Sequence, residues 1–380
     1  MRKTITFVVF FLFFSLLFSQ EKRYESLIHE ISQKYAPDKR VAVFDIVVHE
    51  FGNTLILKGE TTIMEAKMEL LSKIKSISTN VIDSVVVLPS PELGDKIFGV
   101  VSVSVGNMRA KPSHQSELVN QILMGHSVKI LKRQGYWYFV QTEAPENYLG
   151  WIEEGGLKVF GSNEFENWNK GKKLIFIDYF GFVYSQKDKE SVPVSDLVMG
   201  DVFLFKKDEG KWINVILPDG RTGYVRKEQV KDFDKWKKEV ILSVDNLIKT
   251  AMKFVGFPYL WGGTSIKGFD CSGFTKIVFK MNGFELPRDA DQQSRLGVEV
   301  EPGKDFENLK PGDLVFFGQK AEEGKPERIT HVGIYLGNKE FIHSSGKVSI
   351  DSFDPRAPNF NEYRYRTFVK AKRLIKNENK

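Results

Sequence analysis

The sequence predicts an α+β protein built from several small domains, and three observations support that prediction. Near the N-terminus, over residues 21–92, helical and strand patterns alternate. In the middle of the chain, one pattern of Met, Gly and Trp residues occurs twice. In the last part, residues 244–380, a helical pattern is followed by alternating apolar segments typical of strands. A chain of 380 residues is long enough for two to four domains.

The first unit, residues 21–92, has a helix–strand–strand–helix–strand pattern. Residues 24–35 have helical spacing and precede two predicted strands, 41–49 and 54–58, which are separated by the turn residues Gly52-Asn53. A second helix is predicted over residues 62–77 and a last strand over residues 85–88. With Leu57-Lys58-Gly59, this small α/β unit resembles the BON domain of bacterial envelope proteins. It contains no obvious chemistry.

The internal repeat predicts two small β-barrels. In each copy a Met-Gly pair is followed at the same spacing by a tryptophan, Trp137 in the first and Trp212 in the second. Short strands separated by regular turns are typical of small barrels. Residues 107–112, which read Asn-Met-Arg-Ala-Lys-Pro, resemble the opening of bacterial SH3-like domains. We therefore expect two SH3-like domains, over residues 96–160 and 161–232. The charged stretch 231–239 is predicted to be a linker.

The N-terminus predicts export. Arg2 and Lys3 precede an apolar run over residues 5–18, which is followed by Ser19-Gln20 and a charged stretch. This order is typical of a secretory signal peptide, here residues 1–20, and an uncleaved anchor is the alternative. The expected location is the periplasm or the cell envelope, with no stable membrane insertion once the signal is removed. The net charge of +6 is a mild bias with little specificity, and no nucleic-acid partner is expected. A monomer is expected.

Cys271 is the only cysteine of the chain, so it has no intramolecular disulfide partner. Apolar residues recur after it at helical spacing, and Asp270 is a good N-cap, so Cys271 is expected in the first turn of a helix. There the helix dipole and the free N–H groups favour a thiolate. The alternative is a buried and inert thiol.

Two histidines farther along the chain suggest a proton carrier for that thiol. His331 begins an alternating apolar segment, and His343 ends the next one, with Gly337-Asn338 as the hairpin turn between them. On adjacent strands the two side chains can point to one face, where one acts as base and the other orients it. A Cys-His-His zinc site is the rival chemistry, but no fourth ligand is apparent.

The segment that contains these residues resembles the NlpC-type cell-wall cysteine peptidases. The resemblance covers nearly all of residues 244–370, and its motifs occur in the expected order: Tyr259-Leu260-Trp261-Gly262-Gly263, Asp270-Cys271-Ser272-Gly273, Leu286-Pro287-Arg288-Asp289, Lys310-Pro311-Gly312-Asp313-Leu314 and His331-Val332-Gly333-Ile334-Tyr335. The resemblance implies a papain-like α+β domain over residues 244–380. It also implies a Cys271–His331–His343 triad that needs no cofactor and no metal, and a peptidoglycan stem peptide as substrate.

Two SH3-like domains before such a domain, together with residues 288–292, are similar to the γ-D-glutamyl-L-diamino acid endopeptidases, or dipeptidyl-peptidase VI enzymes. In that branch the first SH3-like domain helps to recognise a free L-alanine amine. The resemblance implies that Tyr148 and Asp270 contact the amine. Glu117 is our choice for an acidic residue that joins them.

The same resemblance assigns three further residues to substrate binding. Ser272 would contact the peptide, Asp289 belongs to the shared motif, and the hydroxyl of Tyr259 would help to stabilise the oxyanion. Ala290 stands where the branch usually has serine, which puts one substrate hydrogen bond in doubt.

We therefore expect an exported cysteine peptidase that cleaves the γ-D-glutamyl–diamino acid bond of stem peptides with a free N-terminal L-Ala and releases L-Ala-γ-D-Glu. One alternative is a general wall endopeptidase without the free-amine requirement. A second is a cell-wall binding protein whose last domain is catalytically dead, and a third is an acyl transferase on the same fold.

Overall fold

A computed structural model describes residues 24–375, and the predicted signal peptide over residues 1–20 lies outside the described part. The chain divides into two compact units. The described residues up to Gly94, together with Asn147–Leu149, form one unit. Asp95–Glu146 and the described residues from Gly150 onward form the other.

The N-terminal unit has the predicted order of helices and strands. Residues 24–35 (α1) are helical and are followed by β1 (Phe44–Phe51), β2 (Thr54–Thr61), α2 (Met64–Lys75) and β3 (Val81–Val87). β1 and β2 pair antiparallel, whereas β2 and β3 pair parallel because α2 connects them. Apolar side chains of both helices and the sheet form one core, with Ile31, Leu57 and Leu70 fully buried.

The larger unit begins with two seven-stranded β domains. The strands of the first are β4 (Phe98–Val101), β5 (Val105–Arg109), β6 (Leu118–Leu123), β7 (Ser127–Gln134), β8 (Trp137–Thr142), β9 (Leu149–Glu153) and β10 (Leu157–Phe160). The helix α3 (Ser162–Lys170) follows. The strands of the second are β11 (Lys173–Phe176), β12 (Phe180–Tyr184), β13 (Pro193–Val198), β14 (Val202–Glu209), β15 (Trp212–Ile216), β16 (Thr222–Arg226) and β17 (Val230–Asp232).

The sequence repeat corresponds to a structural repeat. The first sheet has the order β10-β4-β7-β8-β9-β5-β6 and the second has β17-β11-β14-β15-β16-β12-β13, so the two orders agree strand by strand. Even the irregular pairing is repeated, since β7 shifts register after Ile130 and β14 shifts register at the equivalent Phe205. The repeated Met, Gly and Trp residues therefore mark equivalent positions of two copies of one fold.

The Met-Gly turns of the two copies pack against each other. The N–H of Val202 donates to the carbonyl oxygen of Met124 at 2.9 Å, and the N–H of Met124 lies 3.0 Å from the buried Asp201 carboxylate. Gly125 has a φ of +79°, and a Cβ placed on it would lie 1.9 Å from the carbonyl oxygen of Val202. Only glycine fits there, because it tolerates this φ and adds no Cβ.

The last domain follows a short helix, α4 (Phe233–Glu239), in the stretch predicted to be a linker. The charged residues there form a helix because Asp232 caps its N-terminus and Lys235 pairs with Glu239 one turn later. The remaining helices are α5 (Val244–Met252), α6 (Cys271–Lys280), α7 (Ala290–Gln293) and α8 (Glu362–Arg366).

The strands of this domain are β18 (Thr264–Ser265), β19 (Gly268–Phe269), β20 (Val298–Val300), β21 (Leu314–Gln319), β22 (Arg328–Gly337), β23 (Glu340–Ser345), β24 (Lys347–Ser352) and β25 (Phe368–Arg373). β18 and β19 pair with each other, and the others form an antiparallel sheet in the order β20-β25-β21-β22-β23-β24. α6 packs against β22 and β23 through a core that contains Phe274, Val278 and Ile334. This packing places the start of α6 beside the middle of the sheet, in the predicted α+β arrangement.

No helix within residues 24–375 is long and apolar enough to cross a membrane.

Candidate active site

Cys271 is the first residue of α6, as predicted. Asp270 caps the helix, since its Oδ1 accepts the N–H of Gly273 at 2.7 Å. The turn is tight: a Cβ on Gly273 would lie 2.0 Å from the carbonyl oxygen of Gly263. The thiol of Cys271 is buried and accepts a hydrogen bond from the backbone N–H of Val332, the residue after His331. The helix start is therefore held against β22.

A buried ion pair holds the residue before the nucleophile. The guanidinium of Arg288 is fully buried, and its Nη2 contacts Oδ2 of Asp270 while its Nη1 lies 3.1 Å from Oδ1. Nη1 also donates to Oγ of Ser272 at 3.0 Å, and the N–H of Gly262 donates to Asp270 at 3.0 Å. Such a fork-to-fork pair fixes both partners in one orientation. The structure thus gives Asp270 and Ser272 a role in shaping the turn around Cys271, whereas their contact with substrate stays a prediction.

The two histidines lie on neighbouring strands and are in direct contact. Nε2 of His331 is 2.7 Å from Nδ1 of His343, and both rings are buried. In the register of β22 and β23, Ile334 pairs with Ile342, so His343 lies beside Gly333 and diagonally from His331. A Cβ on Gly333 would lie 3.2 Å from Cβ of His343. Because Gly333 has no side chain, the imidazole of His331 can reach that of His343.

The chain of hydrogen bonds continues beyond His343 to two residues that the sequence analysis did not identify. Nε2 of His343 is 2.9 Å from Oδ2 of Asp351, on β24. The same oxygen accepts the side-chain N–H of Asn361 at 2.5 Å. Burial alone would raise the pKa of Asp351, but the hydrogen bonds from His343 and Asn361 outweigh burial and lower it. Asp351 is therefore a carboxylate that can only accept.

This order of contacts sets the tautomers. Because Asp351 accepts, His343 carries its proton on Nε2 and leaves Nδ1 as an acceptor. His331 must then carry its proton on Nε2, which leaves its Nδ1 free to accept a proton. His331 is thus arranged as a base, and His343 and Asp351 orient it.

The protonation states of Cys271 and His331 in the free site differ from the expected preformed thiolate. Burial, and next the carboxylate of Asp270, raise the pKa of Cys271 to about 12. Burial, and then the charge of Arg364, hold the pKa of His331 well below its usual range. The free site therefore holds a thiol beside a neutral imidazole, because desolvation exceeds the stabilisation that the helix start provides. The arrangement favours proton transfer to His331 during the attack.

The loop before the helix brings Tyr259 and Trp261 to the site. Burial, then Cys271 and Asp270, raise the pKa of Tyr259 to about 12, so its hydroxyl stays a donor. Trp261 is largely exposed, and its Nε1 donates to Oε1 of Glu117 at 2.7 Å. Glu117 directly precedes β6 of the first barrel. Trp261 lies two residues after Tyr259 in the chain. Through its contact with Trp261, the predicted acidic residue Glu117 is therefore held next to the loop that carries Tyr259.

Two predicted substrate-binding residues are placed less directly. Asp289 lies at the start of α7, and its Oδ1 is 3.9 Å from Nη1 of Arg288, which is itself bonded to Ser272. Tyr148 is buried and belongs with Asn147 and Leu149 to the N-terminal unit. Its contact with substrate stays a prediction.

Asp351, Asn361 and Arg364 are not predicted from the sequence. β24 pairs with β23, and Ser349 lies opposite His343. Asp351 is two residues after Ser349, so it lies on the same face of the sheet. A prediction of the register of β24 could therefore have placed Asp351 near His343. Asn361 and Arg364 follow a long irregular segment, so no spacing in the sequence brings them to the triad. Within the part of the chain that the structure describes, no cluster of three or more His, Cys, Asp or Glu side chains could hold a metal ion.

The chain is similar to known protein families and to individual relatives. The sequence profile of the NlpC/P60 family matches residues 256–367, and that of the bacterial SH3 domain matches residues 104–158. The chain is 30% identical over 257 residues to a gamma-D-glutamyl-L-lysine dipeptidyl-peptidase of Bacillus cereus, an alignment that covers 66% of this chain and 74% of the relative. A dipeptidyl-peptidase 6 of Lysinibacillus sphaericus is 27% identical, with 69% of this chain and 94% of the relative covered.

This chain belongs to the NlpC/P60 family. The crystal structure of an NlpC/P60 family protein from Bacillus cereus superposes with a TM-score of 0.61 at 25% identity and covers 73% of this chain and all of that protein. The chain is thus a cysteine peptidase of the NlpC/P60 family with SH3-like domains before its catalytic domain.

Proposed function

We propose that this NlpC/P60 peptidase hydrolyses the γ-D-glutamyl–diamino acid bond of peptidoglycan stem peptides and releases L-Ala-γ-D-Glu. The observation that carries the proposal is the ordered chain from His331 through His343 to Asp351, beside a cysteine at a helix start. The relatives named for γ-D-glutamyl-L-lysine and dipeptide-releasing activity support the choice of bond.

In the proposed reaction, Nδ1 of His331 takes the proton of the Cys271 thiol as the sulfur attacks the γ-carbonyl carbon. The backbone N–H groups at the start of α6 and the hydroxyl of Tyr259 stabilise the oxyanion. His331 then gives the proton to the leaving amine of the diamino acid. Water hydrolyses the resulting thioester, with His331 again as base, and the thiol is regenerated.

A peptide of the sequence L-Ala-γ-D-Glu-L-Lys tests this reaction. Cys271→Ala should abolish release of L-Ala-γ-D-Glu as followed by mass spectrometry, because no other group of the site can form the thioester. Undiminished cleavage by this variant would contradict the mechanism. Since Cys271 is the only cysteine, the fraction of wild-type protein alkylated by a thiol reagent should equal the fraction of activity lost.

We also propose that the substrate must carry a free N-terminal amine. Glu117 supports this, because it is an exposed carboxylate that the Trp261 indole holds beside the catalytic loop. The wild-type enzyme should cleave the free peptide and leave its N-acetylated form nearly intact. Equal turnover of both forms would favour the second candidate, a general wall endopeptidase.

Export of this enzyme to the periplasm or cell envelope is part of the proposal and is supported by the basic and apolar start of the sequence. Cell fractionation with and without residues 1–20 tests it. Protein that stays in the cytoplasm with the segment intact would contradict export.

A further inference from the structure

The short helix α8 carries a cation beside the triad. Asn361 caps this helix, since its Oδ1 accepts the N–H of Arg364 at 2.9 Å, while its Nδ2 donates to Asp351. The start of α8 is thereby tied to the carboxylate that orients His343. Residues three apart lie on the same face of a helix. Arg364 is therefore on the face of α8 that is turned to the triad.

An aromatic ring connects Arg364 with the base. Phe317 pairs directly with His331 in the register of β21 and β22, and their rings are 5.7 Å apart. Cζ of Arg364 lies 5.5 Å from the ring centroid of Phe317. In the proposed reaction His331 gives its proton to the amine of the leaving diamino acid, so that residue must lie beside His331 when the bond breaks. Arg364 is thus on the side of the site that receives the leaving group.

This cation has no counter-ion among the residues that the structure describes. Across residues 24–375, no carboxylate lies within 4.0 Å of the guanidinium of Arg364. Two other arginines of the domain, Arg288 and Arg373, each form a two-pronged pair with an aspartate. Arg364 is half-buried. A partly desolvated guanidinium without a carboxylate is costly, and a planar bidentate acceptor relieves that cost.

We propose that Arg364 binds a carboxylate of the leaving diamino acid. This inference rests on the proposed function and adds the feature by which the leaving group is recognised. A diamino acid offers such a group in two places: its α-carboxylate, next to the carbon that bears the leaving nitrogen, and a second carboxylate at the end of the side chain if the residue is dicarboxylic. Either one is a planar acceptor that fits the guanidinium fork. A side chain that ends in an ammonium group, as in lysine, is repelled by Arg364.

The two carboxylates imply different substrates. The α-carboxylate is free only when the stem peptide ends at the diamino acid, so its recognition would select tripeptides. Recognition of a side-chain carboxylate would select a dicarboxylic diamino acid and would allow the stem to continue beyond it.

Three peptides separate these sources. They are L-Ala-γ-D-Glu-L-Lys, the same peptide with a C-terminal lysine amide, and a third in which meso-2,6-diaminopimelic acid replaces lysine, with its α-carboxyl group amidated and its side-chain carboxylate free. The lysine amide has no carboxylate on its leaving group, and each of the others has one. The wild-type enzyme should cleave at least one of these two about 10–100-fold better than the lysine amide, the range of a charge-assisted bidentate pair. A higher kcat/KM for the first assigns the α-carboxylate, and for the third the side-chain carboxylate.

Arg364→Gln should reduce that advantage to within about threefold. The variant also changes the pKa of His331, because the charge of Arg364 acts on the imidazole. That change affects all three peptides alike, so the ratio of kcat/KM between peptides isolates the carboxylate contact. Arg364→Lys, which keeps the charge without the fork, should give an intermediate ratio.

Arg366→Gln is the matched control, because Arg366 lies on the same helix, is exposed and pairs with Glu362. It should keep the wild-type ratio. Thermal unfolding and the rate of Cys271 alkylation establish that each variant folds around an intact site.

Two results would overturn the inference. One is a wild-type enzyme that cleaves neither carboxylate peptide better than the lysine amide, and the other is an advantage that Arg364→Gln retains in full. The first needs no variant, so the inference can fail even if Arg364→Gln does not fold. In both cases cleavage of the peptides leaves the proposed function standing. A wild-type enzyme inert toward all three peptides would instead overturn the proposed function, and this inference with it.

Discussion

Asp351 is the residue that sets the proton positions of the whole triad. Asp351→Asn keeps the shape of the side chain but replaces a carboxylate that only accepts with an amide that also donates, so His343 can adopt the other tautomer. His331 would then lose its acceptor on His343 and its fixed orientation. We expect kcat to fall on the order of 10–100-fold with little change in KM, less than for an aspartate bonded directly to the base. Steady-state kinetics check this, with Asp354→Asn as control, since Asp354 pairs with Arg356 instead. An unchanged kcat would show that His343 needs no partner.

The pH dependence is also decided by single residues. The pKa of His331 is held below its usual value by burial and by the charge of Arg364, so it is neutral, and able to act as base, well below pH 6.5. Arg364→Gln removes a cation that disfavours the imidazolium, so the pKa of His331 rises. The acid limb of kcat/KM, which reports the base of the free enzyme, should therefore move to higher pH, by up to about one unit. Profiles of kcat/KM against pH for the wild-type and Arg364→Gln enzymes on L-Ala-γ-D-Glu-L-Lys measure this shift. A limb that stays in place or moves to lower pH would contradict the electrostatic assignment.

At the scale of strands, the pairing of β22 with β23 decides whether the histidines meet. Gly333 faces His343, and a Cβ there would already lie 3.0 Å from the carbonyl oxygen of Ile342. Gly333→Ala needs only a small shift, whereas the two methyl groups of Gly333→Val must enter the space across which His331 reaches His343. We expect about a threefold loss of kcat for alanine and a loss of more than about 30-fold for valine, with both proteins folded, since misplacing a catalytic group by about 1 Å costs on the order of 100-fold. Kinetics and near-UV circular dichroism together test this. Equal activity of the valine variant would show that the two rings do not need this diagonal contact.

How far the sequence predicts this site depends on the element. The helix start at Cys271 and the strands of His331 and His343 are predicted because capping and alternation are local signals. Asp351 is reached only through strand register, and Arg364 only through a tertiary connection, so neither has a local signal. The protonation of Cys271 was predicted wrongly for the same reason. The helix start is visible in the sequence, but the burial that raises the pKa of the thiol to about 12 comes from the packing of the sheet.

At the scale of the molecule, the catalytic loop rests on the first barrel, which itself rests on the second. Thr264, at the end of that loop, bonds to Gln121 of β6 through both its N–H and its hydroxyl. Glu117 and Trp261 form a further contact along the same edge. The internal repeat was visible in the sequence, but it did not show that its two copies pack through their equivalent Met-Gly turns. That contact fixes the barrel that carries Glu117, so the proposed recognition of a free amine should depend on barrel packing.

Gly125 tests this coupling, and Gly135 provides its control. Both glycines have positive φ, +79° and +56°, so alanine at either position incurs the strain of a left-handed residue, about 1–2 kcal/mol. At Gly135 nothing lies within 4 Å of a new Cβ, whereas at Gly125 the Cβ would lie 1.9 Å from a backbone oxygen of the second barrel. We therefore expect Gly125→Ala to lower the free energy of unfolding by at least about 2 kcal/mol more than Gly135→Ala, in the range of overpacked sites. Chemical denaturation of both variants measures the difference.

Among molecules that stay folded, Gly125→Ala should also weaken the preference for a free N-terminal amine, because displacement of the first barrel moves Glu117 relative to Trp261. Equal stability and equal preference of the two variants would show that the barrel contact supports neither the fold nor the recognition of substrate.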